Sequence, residues 1–420
     1  MVKLNNLKLA FVHPDLGIGG AERLVLDVAV AVADQGVQVH FLTNHFDKGH
    51  AFEELKTDRF PVKVFGDWMP RGVFGAFKAF FAYLRMLYLA MFHYILLPFD
   101  SDSPDIYFVD QIPMAVPILK WTGRKVIYYC HHPDLLASTP GGFLKRLYRK
   151  PINWIEMYGT KSADFILVNS EYTAAVFRRT FPQIKNPIKI VYPTIASSFL
   201  TDIKKASKKP IHQIAPEIQI GKPDDVVFLS INRYHPAKML ELAIEAMDEL
   251  RGLLDNDDWS RVHLIIAGGY DPQNGLNSIY FKKLVELTHA KDLIVKITFL
   301  KSPSDKLKAD LLKSCDCLMY TPVNEHFGIV PLEAMAAAKP VIACNSGGPK
   351  ETIEHNVTGF LSQPNSVSLA KCMAKILDTQ RTKELGKCGL ERLERLFSYN
   401  NFAVKCMDIV NDAYVTKKDS

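Results

Sequence analysis

Short apolar runs alternate with stretches of helical period through most of the chain. Leu7 to Val12 is the first such run, and it leads into a glycine-rich turn, Gly17-Ile18-Gly19-Gly20. From Ala21 to Gln35, Leu24, Val25, Val28, Ala29 and Val32 share one face at the period of an α-helix. Gly36 follows, in the place where a helix is commonly stopped by a residue free to turn left-handed. Val37 to Leu42 is apolar again, so the chain opens on a predicted strand–helix–strand unit. Further strands are predicted at Asp105–Val109, Lys125–Cys130 and Asp164–Asn169.

The pattern breaks between residues 200 and 224. Lys204, Lys205, Lys208, Lys209, Pro210, Pro216 and Pro223 stand there without a period, which predicts a linker with an irregular excursion. Alternation resumes with strands predicted at Val226–Ile231, Val262–Ala267, Ile297–Leu300, Cys317–Tyr320 and Val341–Cys344, and helices between them such as Leu240–Leu250. Strands separated by helices imply parallel sheets. The chain therefore reads as α/β, with two Rossmann-like domains facing a central cleft at the carboxyl ends of their strands, where such folds bind ligands. The predicted boundaries are 1–200 for an N-terminal domain, 201–224 for the linker, 225–398 for a C-terminal domain and 399–420 for a final helix. The apolar positions Phe402, Cys406, Ile409, Val410 and Ala413 form one stripe, which predicts that this helix packs back on the first domain.

A length of 420 residues gives each domain room for its own core. The formal net charge of +6 suits nucleotide phosphates, a pyrophosphate lipid or an anionic membrane surface. It is too small and too dispersed for a nucleic-acid partner. Seven cysteines without paired spacing predict reduced core thiols. Met1 to Leu9 lacks the apolar core of a secretory signal, and the sequon at Asn356 reads as a loop.

Candidate chemistry concentrates after predicted strand ends. Glu325-His326-Phe327-Gly328-Ile329-Val330-Pro331-Leu332-Glu333 follows one strand and opens a helix, with Pro331 at its first position. The backbone N–H groups of Phe327, Gly328, Ile329 and Val330 then form an anion site. Glu325 and Glu333 would repel a phosphate, so sugar hydroxyls are their natural partners; the bland alternative is a helix start that favours an acid. Arg233 and Lys238, after Val226–Ile231, can grip a diphosphate and neutralise a leaving group, unless they are only solvated surface charges. Gly19 and Gly20 let backbone approach a phosphate or sugar closely. Glu22 stands where a dinucleotide fingerprint needs glycine, and Thr43 and Asn44 offer no ribose-binding acid, which weakens a dehydrogenase reading. His131 and His132 follow Lys125–Cys130, and either could point at a transferred sugar.

Asp100-Ser101-Asp102 is a polar turn with a short metal-binding pattern, and turn chemistry accounts for it. Arg71, Lys78 and Arg85 recur every seven residues beside Phe74, Phe77, Phe80, Phe81, Leu84, Leu87, Tyr88, Met91, Phe92, Ile95 and Leu96. A basic stripe with an aromatic face predicts membrane docking by segment 72–97; a buried helix pair is the alternative.

Taken together, Gly17 to Glu22, His131, Arg233 with Lys238, and Glu325 with Glu333 resemble the retaining GT-B glycosyltransferases of the large Glu-x7-Glu family. Three further stretches, His13 to Arg23, Tyr129 to Leu136 and Phe143 to Tyr148, resemble the alpha-1,3/alpha-1,6-mannosyltransferases of lipid-linked oligosaccharide assembly. The resemblance implies GDP-mannose as donor and mannosyl-chitobiosyl-pyrophosphoryl-dolichol as acceptor. It implies α-1,3 and then α-1,6 transfer at the cytosolic face of the endoplasmic reticulum membrane, alongside other glycosyltransferases of that route. On the family pattern Glu325 holds the donor mannose, Glu333 the ribose and Arg233 with Lys238 the diphosphate. His131 sits at the reacting sugar, and Gly19 admits the donor phosphates. The leaving phosphate takes the acceptor's proton, so no metal and no other cofactor is expected. Two features depart from the pattern. His132 stands where an aromatic residue is expected, and no apolar span follows Tyr414, which leaves membrane attachment to 72–97 or to partners.

The competing readings are a related transferase using another lipid acceptor or a UDP-sugar, an epimerase or phosphorylase on the same architecture, and a non-catalytic scaffold of a glycosyltransferase complex. A phosphorylase needs a pyridoxal-binding lysine that the sequence does not offer. A scaffold has no need of Arg233, Lys238, Glu325 and Glu333 together.

Overall fold

The computed structural model describes residues 7–72, 77–137, 142–214 and 224–418. The chain divides into two compact units, Met1–Pro193 with Asn400–Ser420, and Thr194–Tyr399. The first contains seven parallel strands: β1 (Lys8–His13), β2 (Gln38–Thr43), β3 (Val62–Val64), β4 (Ile106–Asp110), β5 (Lys125–Cys130), β6 (Phe165–Val168) and β7 (Ile188–Ile190). Their order across the sheet is β3-β2-β1-β4-β5-β6-β7. The inner strands bury both faces, as parallel strands covered by helices do, and so they read in sequence as continuous apolar runs. Tyr107, Tyr128, Val109 and Val12 pack on one side with Met86, Leu89 and Ala90 from the helix Lys78–Leu96.

The second unit has six parallel strands: β8 (Val226–Ile231), β9 (Val262–Gly268), β10 (Ile297–Lys301), β11 (Cys317–Tyr320), β12 (Val341–Cys344) and β13 (Gly359–Ser362). They are ordered β10-β9-β8-β11-β12-β13. Phe228, Leu264 and Ile266 of this sheet pack with Ala243, Met247 and Leu250 of the helix Glu241–Arg251. In both sheets the strand order reverses once, at β1/β4 and at β8/β11. Helices on opposite faces diverge at such a point and leave a crevice at the strand carboxyl ends.

The final helix runs Tyr399–Lys418, and from Asn400 its residues belong to the first unit. Phe402, Cys406, Ile409, Val410 and Ala413 are all buried. All seven cysteines are free thiols, and six of them are buried.

Two sequence expectations need correction. Part of the stretch read as a linker is ordered. Ser197–Lys205 is a helix that buries Phe199 and Ile203, and Ile211–Ile214 adds another turn. Its lysines hid the pattern, because an amphipathic helix this short offers only two apolar anchors. Residues 215–223 of that stretch, with Pro216 and Pro223, lie outside the described residues.

The basic stripe of Arg71, Lys78 and Arg85 does not exist as read. The helix begins at Lys78, so Arg71 lies outside it, where it pairs with Asp15 at 3.1 Å. Arg85 is buried, and its guanidinium donates to the Asn44 carbonyl at 2.8 Å. Asn44 in turn donates to the carbonyls of Arg85 and Phe65, both at 2.8 Å. Residues 73–76 of the segment, including Phe74, lie outside the described residues. Lys78–Phe99 is long and apolar enough to cross a membrane, but a third of it is buried in the first unit, among it Tyr83, Met86, Leu89, Ala90 and His93.

Candidate active site

In the first unit, strand register brings three polar residues to one end. Val12 of β1 is level with Val109 of β4, and Asp110 is level with Tyr129 of β5. His13, Asp110 and His131 therefore leave three adjacent strands together. Asp110 is fully buried between two imidazoles, with Oδ2 2.9 Å from His13 Nδ1 and Oδ1 2.9 Å from His131 Nε2. The other nitrogen of His13 lies 3.6 Å from Glu22 Oε1, in the first turn of the helix Gly20–Ala33.

Burial alone would push the His13 pKa down, but Asp110 and Glu22 outweigh it and raise the value to about 9. Burial likewise raises Asp110, and His131 with His13 more than compensates, holding it below the usual carboxylate range. Burial raises Glu22 too, and the His13 imidazole beside it outweighs burial and lowers it. A cation between two carboxylates is the stable form of this cluster at neutral pH.

Of the paired histidines, His131 is the one that joins the cluster. Its ring tilts against Tyr129 with centroids 4.8 Å apart. The loop beyond it is fixed from below: buried Glu156 accepts from the backbone N–H of Asp134 at 2.6 Å and of Leu135 at 3.0 Å. Gly19 and Gly20 begin the helix after β1. A methyl group added at Gly20 would meet nothing within 4 Å, so space is open beside Gly20, whereas one at Gly19 would lie 2.2 Å from Glu22 Oε2.

In the second unit, Arg233 and Lys238 follow β8, and Glu325 follows β11 across the reversal. Tyr234 between the two cations is buried, and its hydroxyl donates to the carbonyls of Ile266 at 2.8 Å and Leu300 at 3.0 Å. Lys238 is held at its carbonyl by Thr321 Oγ1 at 2.7 Å, and its ammonium is ion-paired with Glu325. Arg233, His235, Lys238, Asn324, Glu325 and His326 line a cavity of about 300 Å³.

The loop carrying Glu325 is shaped by close backbone contact. Gly347, at φ +64°, would put a Cβ 2.3 Å from the Glu325 carbonyl oxygen, and the Gly348 N–H donates to that same oxygen at 2.8 Å. Glycine at both positions lets two backbones touch.

The helix that follows is short, Val330–Ala336, with Pro331 in its first turn, where a missing N–H costs nothing. Phe327, Gly328, Ile329 and Val330 form the turn into it, Gly328 at φ +83°. Glu333 is buried; one oxygen lies 3.0 Å from Lys308 Nζ, and the other, Oε2, has no hydrogen-bond partner. Each of the two glutamates thus faces a lysine.

Asp100 of the Asp100-Ser101-Asp102 turn accepts from Lys63 at 2.7 Å, an ordinary ion pair. Among the described residues no three His, Cys, Asp or Glu side chains are grouped as a metal site would require. Sequence reasoning missed His13, Asp110 and Lys308. Their only signal is a polar residue ending an apolar strand, or a lysine on a helix, and strand order is needed to see what it meets.

Two parallel sheets of this order, with cations and carboxylates at the second reversal, define a glycosyltransferase of the GT-B architecture. Family models agree: residues 18–198 match Glycosyltransferase Family 4, and residues 215–389 match Glycosyl transferases group 1. Solved structures share the fold. Sucrose-phosphate synthase from Thermosynechococcus elongatus superposes with a TM-score of 0.75 at 19% identity, covering 98% of this chain and 100% of that one. A glycosyltransferase from Rickettsia africae gives 0.74 at 19% identity, covering 97% and 99%.

Among curated relatives, Alpha-1,3/1,6-mannosyltransferase ALG2 of Homo sapiens is 44% identical, over 97% of this chain and 95% of its own length. The Dictyostelium discoideum protein of that name is 36% identical, over 96% and 98%. The chain belongs to the alpha-1,3/1,6-mannosyltransferase family.

Proposed function

We propose that the chain is a retaining transferase that moves mannose from GDP-mannose to mannosyl-chitobiosyl-pyrophosphoryl-dolichol, first in α-1,3 and then in α-1,6 linkage. The observation that carries the reading is the grouping of Arg233, Lys238 and Glu325 around one cavity in a member of this family. Arg233 and Lys238 grip the donor diphosphate and neutralise it as the sugar departs. Once a diphosphate engages Lys238, Glu325 is released to accept hydrogen bonds from the mannose hydroxyls. The unpartnered Oε2 of Glu333 suits a ribose hydroxyl. Backbone N–H groups at Phe327, Gly328, Ile329 and Val330, and the glycine turn at Gly19 and Gly20, open beside Gly20, receive phosphate oxygens. His131 contacts the reacting sugar. The leaving phosphate accepts the acceptor hydroxyl's proton, so neither a separate protein base nor a metal is required.

The work site in this reading is the cytosolic face of the endoplasmic reticulum membrane. Support comes from an exposed surface of the first unit. Phe143, Leu147, Trp154 and Tyr158 lie along one face of the helix Phe143–Ser162, all exposed, with Trp154 and Tyr158 stacked at 5.5 Å. Arg146, Lys150 and Lys161 are exposed on the same helix. Phe80, Leu84, Phe92 and Ile95 of the helix Lys78–Leu96 are exposed too, and Tyr148 joins the two helices by accepting from the Phe80 N–H at 2.9 Å. Aromatic side chains beside lysine and arginine are the composition of a helix lying in a lipid interface.

A donor panel tests the reading: GDP-mannose, UDP-glucose and UDP-N-acetylglucosamine offered with the same short-chain lipid acceptor. Transfer from GDP-mannose alone is expected. Transfer from a UDP-sugar instead would favour the related transferase with another donor.

A further inference from the structure

We infer that Glu156 is a positioning residue for the transfer: its carboxylate, reaching in from the helix Phe143–Ser162, holds the loop that leaves β5 at the ligand end of the first unit. The inference rests on the mannosyl-transfer reading. The loop begins at His131 and closes on a single helical turn, Asp134–Ala137. Four residues do not hold a helix in water by themselves. The first N–H groups of such a turn find no acceptor within it, and Glu156 supplies one for two of them. Its Oε1 accepts from the Asp134 N–H at 2.6 Å and its Oε2 from the Leu135 N–H at 3.0 Å.

Arg149 grips the same residue. Its guanidinium donates to the Asp134 carbonyl at 3.2 Å and to the Asp134 carboxylate at 2.9 Å. Arg149 and Glu156 stand two turns apart on one helix and are both buried, so they share its inner face. Leu147 and Trp154 are exposed on the opposite face. The loop therefore takes its place from this helix. β5 adjoins β4, one of the two strands at the reversal, and loops leaving strand carboxyl ends there shape the ligand crevice.

The tie is kept at the expense of stability. Only the ionised carboxylate accepts with both oxygens. Burial, helped by the Asp134 charge, raises the Glu156 carboxyl from its ordinary value of 4.5 to about 7, against the two backbone hydrogen bonds and Arg149. A carboxyl raised in this way adds stability below about pH 4.5 that is lost as pH rises through about 7. The form that grips the loop is thus the form that weakens the fold. The surroundings do not titrate with it. Burial pushes up Tyr83 of the helix Lys78–Leu96 and Tyr128 and Cys130 of β5, which stay neutral, and it lowers His132 of the loop. The charges beside Glu156, Asp134 and Arg149, are paired with each other. A buried group held in a form unfavourable to folding points to function.

Glutamine at position 156 keeps the shape and replaces one acceptor by a donor, so one of the two N–H groups loses its partner at every pH. The test compares Glu156→Gln with wild type by amide hydrogen exchange, melting and mannose transfer. At pH 8 the wild-type amides of Asp134 and Leu135 are expected to be protected, and at least one should lose about tenfold or more in the variant. The variant's kcat should fall about 10–10²-fold, with the KM for GDP-mannose within about threefold of wild type and a melting temperature no lower. The ratio of wild-type to variant kcat should rise about tenfold between pH 6 and pH 8, as Glu156 ionises. A variant with normal kcat overturns the inference. So does one that loses kcat and melting temperature together, or fails to fold, because that marks a side chain which only supports the fold. Wild-type amides unprotected at pH 8 overturn it without any variant. Protected amides in a wild type that transfers no mannose leave the tie standing and refute the functional reading instead.

Discussion

Gly348→Ala probes how tightly the Glu325 loop is set. Gly348 has φ −59°, so alanine brings no backbone strain, and the whole effect is steric. The added methyl would lie 2.4 Å from Phe327 Cα, 2.4 Å from its carbonyl oxygen and 2.7 Å from its carbonyl carbon. Ordinary contact begins near 3.4 Å, so the two backbones must part by about 1 Å. No flexible side chain can yield in their place. Overpacking of this kind costs about 1–3 kcal/mol. In a domain of about 200 residues that lowers the melting temperature by about 2–4 °C per kcal/mol. The displaced segment begins at Glu325, and an error of about 1 Å at a sugar-positioning group costs about 10²-fold in rate. The assay is kcat for mannose transfer together with a melting curve. Gly275→Ala serves as control, because a methyl there meets nothing within 4 Å. A Gly348→Ala protein with normal rate and normal melting would refute the claim that this contact sets the loop.

Other perturbations follow from the same geometry. Glu325→Ala should abolish transfer of both mannoses while GDP binding, followed by calorimetry, stays within about threefold; normal transfer would remove Glu325 from the sugar site. His13 is raised from its ordinary value of 6.5 to about 9, so its contribution to stability is fully present below about pH 6.5 and is lost as pH rises through about 9. That contribution is on the order of 3 kcal/mol, and wild type should therefore lose more melting temperature between pH 7 and 9.5 than His13→Gln does. Changing Leu147 and Trp154 together to Glu should reduce flotation with anionic liposomes about tenfold or more without shifting the melting temperature; unchanged flotation would rule this face out as the membrane contact.

Most of the sheet architecture was legible because inner parallel strands are buried on both faces. β1, β4, β5, β8, β9 and β12 each appear as an apolar run within a residue or two of where they lie. The strands that sequence reading passed over, β3, β7 and β13, all lie at a sheet edge, and β3 and β7 are three residues long with none fully buried, so no continuous apolar run marks them. Arg85 shows a different limit. Seven-residue spacing puts Lys78 and Arg85 on one side of this helix, which Arg71 precedes, and it does not say whether a residue there meets solvent or Asn44. The second-unit residues Arg233, Lys238 and Glu325 could be picked out because each stands just beyond a recognisable strand. The His13–Asp110–His131 cluster could not, since it exists only once β1, β4 and β5 are known to be neighbours.

The most direct test of the account is transfer from GDP-mannose, with EDTA present, to a short-chain lipid-pyrophosphate acceptor carrying chitobiose and one mannose, with products read by mass. The account predicts a gain of two hexoses, both removable by an α-mannosidase. No hexose gained, with the same protein active on UDP-sugars, would contradict it.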